Sequence, residues 1–180
     1  MRRLAITLVL LSLSVAALAQ QKDKSKRPSP PAAPAVCKFS DGKTITVDYS
    51  VPAMKGRKIY GDLVPFNQPW RTGANEATTF VPAVDVTIAG TTVPAGNYTL
   101  YTLPGEKSWK LIISKKTGQW GIPYPEGQDL GRFDMQIEGT DVPIEKLKIS
   151  FFNKAGQPNI CTLRIDWEKT RASVDIAEKR

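Results

Sequence analysis

Residues 146–152 read Lys-Leu-Lys-Ile-Ser-Phe-Phe, in which large apolar side chains alternate with charged or polar ones. Successive side chains of a β-strand point to opposite faces of the sheet, whereas one face of a helix repeats every three to four residues. The alternation therefore predicts a strand that buries Leu147, Ile149 and Phe151. No part of the chain sustains helical spacing, so we expect an all-β fold.

The same alternation recurs along the chain, and prolines and glycines separate the alternating segments. The predicted strands are Thr44–Tyr49, Thr78–Val81, Val84–Ala89, Asn97–Leu103, Trp109–Ser114, Arg132–Glu138, Lys146–Phe152, Cys161–Trp167 and Ala172–Ile176. About nine short strands with turns between them are typical of an antiparallel sandwich or a closed barrel. We expect a single sandwich, jelly-roll-like or immunoglobulin-like, because nothing in the sequence requires barrel closure.

The N-terminal residues have the three parts of a secretory signal peptide. Two arginines precede the apolar run Leu4–Leu18, and Ala17-Leu18-Ala19 is a small-x-small cleavage site. The run is shorter than the roughly 20 residues of a spanning helix, which argues against a membrane anchor. We expect residues 1–19 to be removed and the protein to be exported to the periplasm or beyond. No later stretch is apolar enough to be a transmembrane segment.

Residues 20–35 are rich in lysine and proline and contain no large apolar side chain, which predicts a disordered, extended linker. This segment holds four basic residues and one acidic residue, so it contributes +3 to the net charge of the chain. Residues 36–180, the predicted all-β domain, hold nineteen basic and sixteen acidic residues, against a net charge of +8 for the whole chain. An excess of three basic residues over acidic ones is too small to predict a nucleic-acid partner from electrostatics.

Cys37 and Cys161 are the two cysteines, and each alternates with apolar residues as part of a strand face. An even number of cysteines in an exported chain predicts a disulfide. Two separate buried thiols are the alternative. A bridge would join the first strand to a late one, across more than 120 residues.

The chain contains no histidine, which excludes a Ser-His-Asp triad, a Cys-His pair and histidine-ligated metal sites. No calcium-loop pattern is present, and Asp62 stands where a phosphate-binding loop needs lysine. We therefore expect neither a metal nor a cofactor.

The one long irregular segment is Ser50–Ala74, with three prolines and three glycines. A loop this long in a compact domain is usually functional or covers a sheet edge. Beside it lies the block Trp70-Arg71-Thr72-Gly73-Ala74-Asn75-Glu76-Ala77-Thr78-Thr79. Five other segments carry distinctive combinations of aromatic, glycine, proline and charged residues, and with this block they are the ones that resemble a known family. They are Val47–Ser50, Lys55–Pro65, Val93–Leu100, Thr117–Gly121 and Asp166–Arg171.

In these segments the chain resembles the bacterial exported proteins grouped as domain of unknown function 2911. Many relatives carry Arg where Val51 stands and Tyr-Gly where Phe66-Asn67 stands, so no role is assigned to a charge at position 51. The resemblance implies an exported β-rich domain. It implies no activity that can be transferred residue by residue.

The strongest candidate binding residues lie at the end of the long loop. Arg71 offers a planar set of donors, Asn75 a donor and an acceptor, Glu76 an acceptor, and Trp70 an aromatic platform. Trp120 would add a second aromatic wall. Such a set suits a sugar, a peptide or a ligand with a carboxylate. The structural alternative is that Arg71 and Glu76 pair, or bond to loop carbonyls, while Trp70 belongs to the core.

Two weaker sites complete the candidates. Arg57 and Lys58 could bind an anion, although solvated loop charges are the simpler interpretation. Asp62 and Glu76 are weak catalytic candidates, since paired carboxylates hydrolyse glycosides when they lie roughly 5–10 Å apart.

We therefore expect a non-catalytic binding domain of the cell envelope, with a small molecule, a glycan or an envelope protein as partner. The alternatives are a carboxylate-dependent, glycosidase-like hydrolase acting on envelope glycans, and a purely structural envelope protein.

Overall fold

A computed structural model describes residues 29–180, so the predicted signal peptide and residues 20–28 of the predicted linker lie outside the described residues. Within this range the chain forms strands and no helix. The strands are β1 (Ala35–Lys38), β2 (Thr44–Val47), β3 (Thr79–Pro82), β4 (Val86–Ile88), β5 (Thr91–Val93), β6 (Tyr98–Pro104), β7 (Trp109–Ser114), β8 (Asp129–Lys154) and β9 (Gln157–Glu178).

All strand pairs are antiparallel, and one open sheet has the order β1-β2-β3-β6-β7-β8-β9-β4-β5. Five strands lie between β1 and β9 in that order, yet Cys37 and Cys161 bring the two together through a disulfide. The sheet therefore folds over itself around one core, which confirms the predicted all-β, sandwich-like fold without barrel closure.

The strand boundaries differ from the prediction at the C-terminal half. The predicted strands at 132–138 and 146–152 are parts of β8, and those at 161–167 and 172–176 are parts of β9. Between them the pairing of β8 with β9 shifts register at Gly139 and Ile144 and then continues. A glycine and Pro143 made this stretch resemble a turn in the sequence. The short strand β5 was not predicted, because Gly90 marks a turn just before it.

The core confirms the main packing predictions. Leu147 and Ile149 are buried and Phe151 is half-buried, as the alternation of residues 146–152 predicts. Trp109 and Trp167, whose positions on strand faces predict burial, also lie in the core. The Cys37–Cys161 disulfide is present and buried, with Cα atoms 6.2 Å apart. The structure therefore confirms the predicted cross-link.

The segment from Ser29 to Ala35 lies against the domain. The amide of Ala32 donates to the carbonyl of Tyr49 (3.0 Å), and the amide of Val51 donates to the carbonyl of Pro30 (2.9 Å). The domain boundaries at residues 19 and 35 stay predictions.

Residues 29–180 hold no helix with the length and apolarity that a membrane crossing requires.

One expectation about β9 is wrong. The alternation around Trp167 predicts that Asp166, Glu168 and Arg171 face solvent and form a surface ion pair across strands, but Asp166 is only 2% exposed. Three successive residues, 165–167, are buried, because β9 bends at Glu168, which has a φ of 54°. Nε of Arg164 lies 3.1 Å and Nε of Arg171 lies 2.9 Å from the Asp166 carboxylate, so the charge is paired.

Candidate functional site

The long loop and the β7–β8 loop, residues 115–128, enclose a groove on one side of the domain. Two adjoining cavities of about 280 and 330 Å³ form it. They share five lining residues, which are Leu63, Val64, Trp70, Arg71 and Ile122. We call the two cavities together the groove.

Trp70 is placed by the sheet and by the aromatic core. Its backbone pairs with Thr102 of β6 through two hydrogen bonds of 2.8 and 2.9 Å. Its ring stacks on Trp167 at 5.6 Å between centroids and contacts Tyr60 edge-on at 6.3 Å. Trp70 is therefore half-buried, with one part packed in the core and another lining the groove.

Arg71 follows directly and also lines both cavities. Its Nη1 donates to the carbonyl oxygen of Trp120 (3.2 Å), and its guanidinium carbon lies 5.1 Å from the centroid of the Trp120 ring. Burial lowers the pKa of Arg71 from its ordinary value, while Tyr101 and Glu76 act in the opposite direction. An arginine guanidinium stays protonated even when it is partly buried, so Arg71 gives the groove a fixed positive charge.

Trp120 does not form the predicted aromatic wall. Its ring is 52% exposed and lies beside Arg71, but it lines neither cavity of the groove. The second wall consists instead of Ile122 and Tyr124. The turn Gly118-Gln119-Trp120-Gly121 approaches Arg71 closely enough that a Cβ on Gly121 would lie 3.1 Å from the Cβ of Arg71.

Asn75 and Glu76 do not join Trp70 and Arg71 in the groove lining. Nδ2 of Asn75 donates to the carbonyl oxygen of Ser29 (2.7 Å), so this side chain holds the N-terminal segment. Glu76 lines a separate hollow of about 170 Å³, which also contains Asp48. The positive φ of Asn75, 60°, turns the chain between the two places.

Of the three remaining candidate residues, one lines the groove and two do not. Arg57 lines the groove, and its Nε and Nη2 donate to the carbonyls of Met54 (2.9 Å) and Ala53 (2.8 Å). Lys58 and Asp62 are exposed and line neither the groove nor the hollow with Glu76. The carboxylate that accompanies Glu76 is therefore Asp48.

A family model described as a protein of unknown function (DUF2911) matches residues 30–176. The chain belongs to this family. No curated protein and no solved structure matches the chain. The matched range of the DUF2911 domain includes all the lining residues of the groove except Ser29.

The long loop of this DUF2911 domain is held by two distant acidic residues. The Glu168 carboxylate on β9 accepts hydrogen bonds from the amides of Ile59 (3.2 Å) and Tyr60 (3.3 Å). The Glu145 side chain on β8 accepts one from the amide of Lys55 (2.9 Å). These contacts fix the loop that forms one side of the groove. No local sequence pattern indicates these contacts, because 90 to 109 residues separate the partners along the chain.

Leu63, Ile122 and Tyr124 are groove residues that the sequence analysis missed. Leu63 is 44% exposed and Ile122 is 67% exposed, although both are large and apolar. Ile122 and Tyr124 stand directly beside glycine or proline, and Leu63 lies two residues from both Gly61 and Pro65, so their position in turns was the available signal. No group of three or more Asp, Glu or Cys side chains within residues 29–180 is arranged to hold a metal ion.

Proposed function

We propose that this DUF2911 domain is a non-catalytic, exported binding domain of the cell envelope and that its ligand occupies the groove. The observation that carries the proposal is the juxtaposition of Trp70 and Arg71 on a groove bordered by exposed apolar side chains. Small-molecule sites are typically concave, mostly apolar and supplied with a few fixed polar groups.

The exposed apolar residues support a binding role. Leu63 and Ile122 line both cavities and present their side chains to solvent. Exposed apolar side chains that border one concavity are typical of interaction sites, since a ligand that covers them removes apolar area from water.

Export is the second part of the proposal. The predicted signal peptide at residues 1–19 supports it, as does a disulfide, because disulfides persist in oxidising compartments. The purely structural alternative explains the aromatic packing of Trp70, but it gives no reason for exposed Leu63 and Ile122 beside a charged groove.

The hydrolase alternative has less support. Asp62 does not line the hollow that contains Glu76, and the hollow of about 170 Å³ is small for a glycan chain. Asp48 lines it, but the Asp48 carboxylate accepts a hydrogen bond from the hydroxyl of Thr79 (3.2 Å), which suits a structural role.

A thermal-shift screen of the protein without residues 1–19 tests the proposal, with envelope glycans, peptides and small metabolites as probes. Two variants show whether a stabilising probe binds in the groove. Leu63→Ser alters the groove, and Val142→Ser is its control, because Val142 is 74% exposed and lines neither cavity.

A ligand present at 100 times its Kd stabilises a protein by about 2.7 kcal/mol, which is readily measured as a rise in Tm. We expect this rise in the wild type and in Val142→Ser, and a smaller rise in Leu63→Ser. A stabilisation that Leu63→Ser retains in full, or no stabilising probe at all, would contradict the proposal.

A further inference from the structure

We propose that the groove binds a small carboxylate with an aromatic body, in which the carboxylate contacts Arg71 and the body lies among Leu63, Trp70 and Ile122. This inference rests on the proposed binding function and names the chemical class of its ligand.

The first argument is the charge of the groove. Among the residues that line its two cavities, Arg57 and Arg71 are cationic and none is Asp or Glu. No salt bridge formed among residues 29–180 includes either arginine. Glu76 interacts electrostatically with Arg71, but it lines the separate hollow and not the groove. A groove that has two guanidinium groups and no acidic lining is complementary to an anion.

The second argument is the state of the Arg71 guanidinium. It is half-buried, and among residues 29–180 it uses one N–H donor, Nη1 to the Trp120 carbonyl. A guanidinium has five N–H donors in a plane, and its geometry matches a carboxylate. The contact with Trp120 holds the group in place, so a ligand would meet a preorganised donor and lose less conformational entropy on binding.

The third argument is size and surface. The two cavities measure about 280 and 330 Å³, and a cavity of about 150 Å³ accommodates benzene. There is room for one or two rings but little for a folded partner. The apolar surface for these rings is supplied by Leu63, Ile122 and the indole of Trp70.

Isothermal titration of the protein without residues 1–19 tests the inference with defined probes. The acids are phenylacetate and indole-3-acetate, and their controls are the corresponding neutral amides, which have nearly the same shape. Further arms are an aromatic dipeptide with a free C-terminal carboxylate, the same dipeptide as its amide, and a neutral disaccharide.

We expect at least one small acid to bind about tenfold or more tightly than its amide, because a carboxylate accepts charge-assisted hydrogen bonds from the guanidinium that a neutral amide does not match. Its affinity should fall as salt is raised. Arg71→Gln should remove the preference for the acid, and Leu63→Ser should weaken the acid and the amide by similar factors.

Equal binding of acid and amide, or groove binding by the disaccharide alone, would overturn this inference and leave the binding function standing. Binding of the peptide carboxylate without either small acid would also overturn it. If no probe binds and the thermal-shift screen finds no groove ligand, both proposals fail. Should Arg71→Gln not fold, the comparison of acid with amide on the wild type and on Leu63→Ser decides the question.

Discussion

Arg71 shows how one side chain can fulfil both roles that the sequence left open. It bonds to a loop carbonyl, as the structural alternative predicts, but the carbonyl belongs to Trp120 in another loop. It also lines the groove, as the binding hypothesis predicts. The two roles are compatible because a guanidinium has five donors and the contact with Trp120 requires one.

The turn that carries Trp120 depends on Gly121. A Cβ at this position would lie 2.9 Å from Cβ of Ala77 and 3.1 Å from Cβ of Arg71, and the backbone φ is 91°. We expect Gly121→Ala to lower the free energy of unfolding by about 2–4 kcal/mol, from the left-handed backbone and the close contacts together. Urea denaturation measures this loss.

Gly118 provides the matched control for Gly121. It lies in the same turn with a φ of 72°, and a Cβ there would have no neighbour within 4 Å. Gly118→Ala should therefore cost only about 1–2 kcal/mol, the conformational penalty alone. Equal losses in the two variants would show that the approach of Gly121 to Arg71 is not sterically tight.

At the scale of elements, the long loop Ser50–Ala74 is held in place by hydrogen bonds to β8 and β9. The amide of Met54 donates to the carbonyl of Glu145 (2.8 Å), and the amide of Leu147 donates to the carbonyl of Pro52 (3.0 Å), so part of the loop pairs with β8. Glu168 then binds the next part from β9. Hydrogen bonds to β8 and β9 therefore hold this side of the groove, although the loop contains no strand.

Glu168→Ala tests this organisation. Its removal leaves the amides of Ile59 and Tyr60 without their carboxylate acceptor, and each unsatisfied buried group costs about 1–3 kcal/mol. We expect a loss of stability in that range or above, and faster hydrogen exchange at those two amides. Glu168→Gln should lie between the wild type and Glu168→Ala, because it keeps one acceptor oxygen.

The exposed acid Glu126 supplies the control for Glu168. Glu126→Ala removes the same carboxylate from a solvent-exposed turn, and we expect its effect to stay within about 0.5 kcal/mol. Unchanged exchange at Ile59 and Tyr60 in Glu168→Ala would show that other contacts hold the loop.

Alternation predicted the strands well because burial on one face of a sheet is a local property of the sequence. It did not anticipate the bend at Glu168, which turns Asp166 into the core and creates the loop contact. Asn75 was grouped with Arg71 because the two are close in the chain, but the backbone turns between them. Contacts such as Glu168 to Ile59 depend on the folded sheet, so no local pattern reveals them.

At the scale of the whole molecule, the fold is one sheet that curves until its edge strand β1 lies against β9. The register shifts in β8 and β9 allow the sheet to bend, and the Cys37–Cys161 disulfide links β1 to β9 across the core. β1 makes its regular hydrogen bonds with β2 alone. The disulfide is therefore the covalent element that holds this edge against the opposite side of the molecule.

The double variant Cys37→Ala, Cys161→Ala measures that contribution. The bridge spans 124 residues, for which chain-entropy models give about 4–5 kcal/mol, since the cross-link restricts the unfolded chain. We expect a loss of this size in urea denaturation, with the far-ultraviolet spectrum of a β protein retained. The reduced wild type should show the same stability as the double variant. A loss below about 1 kcal/mol would mean that strand pairing and core packing alone hold β1 in place, and that the unfolded chain gains little freedom when the bridge is absent.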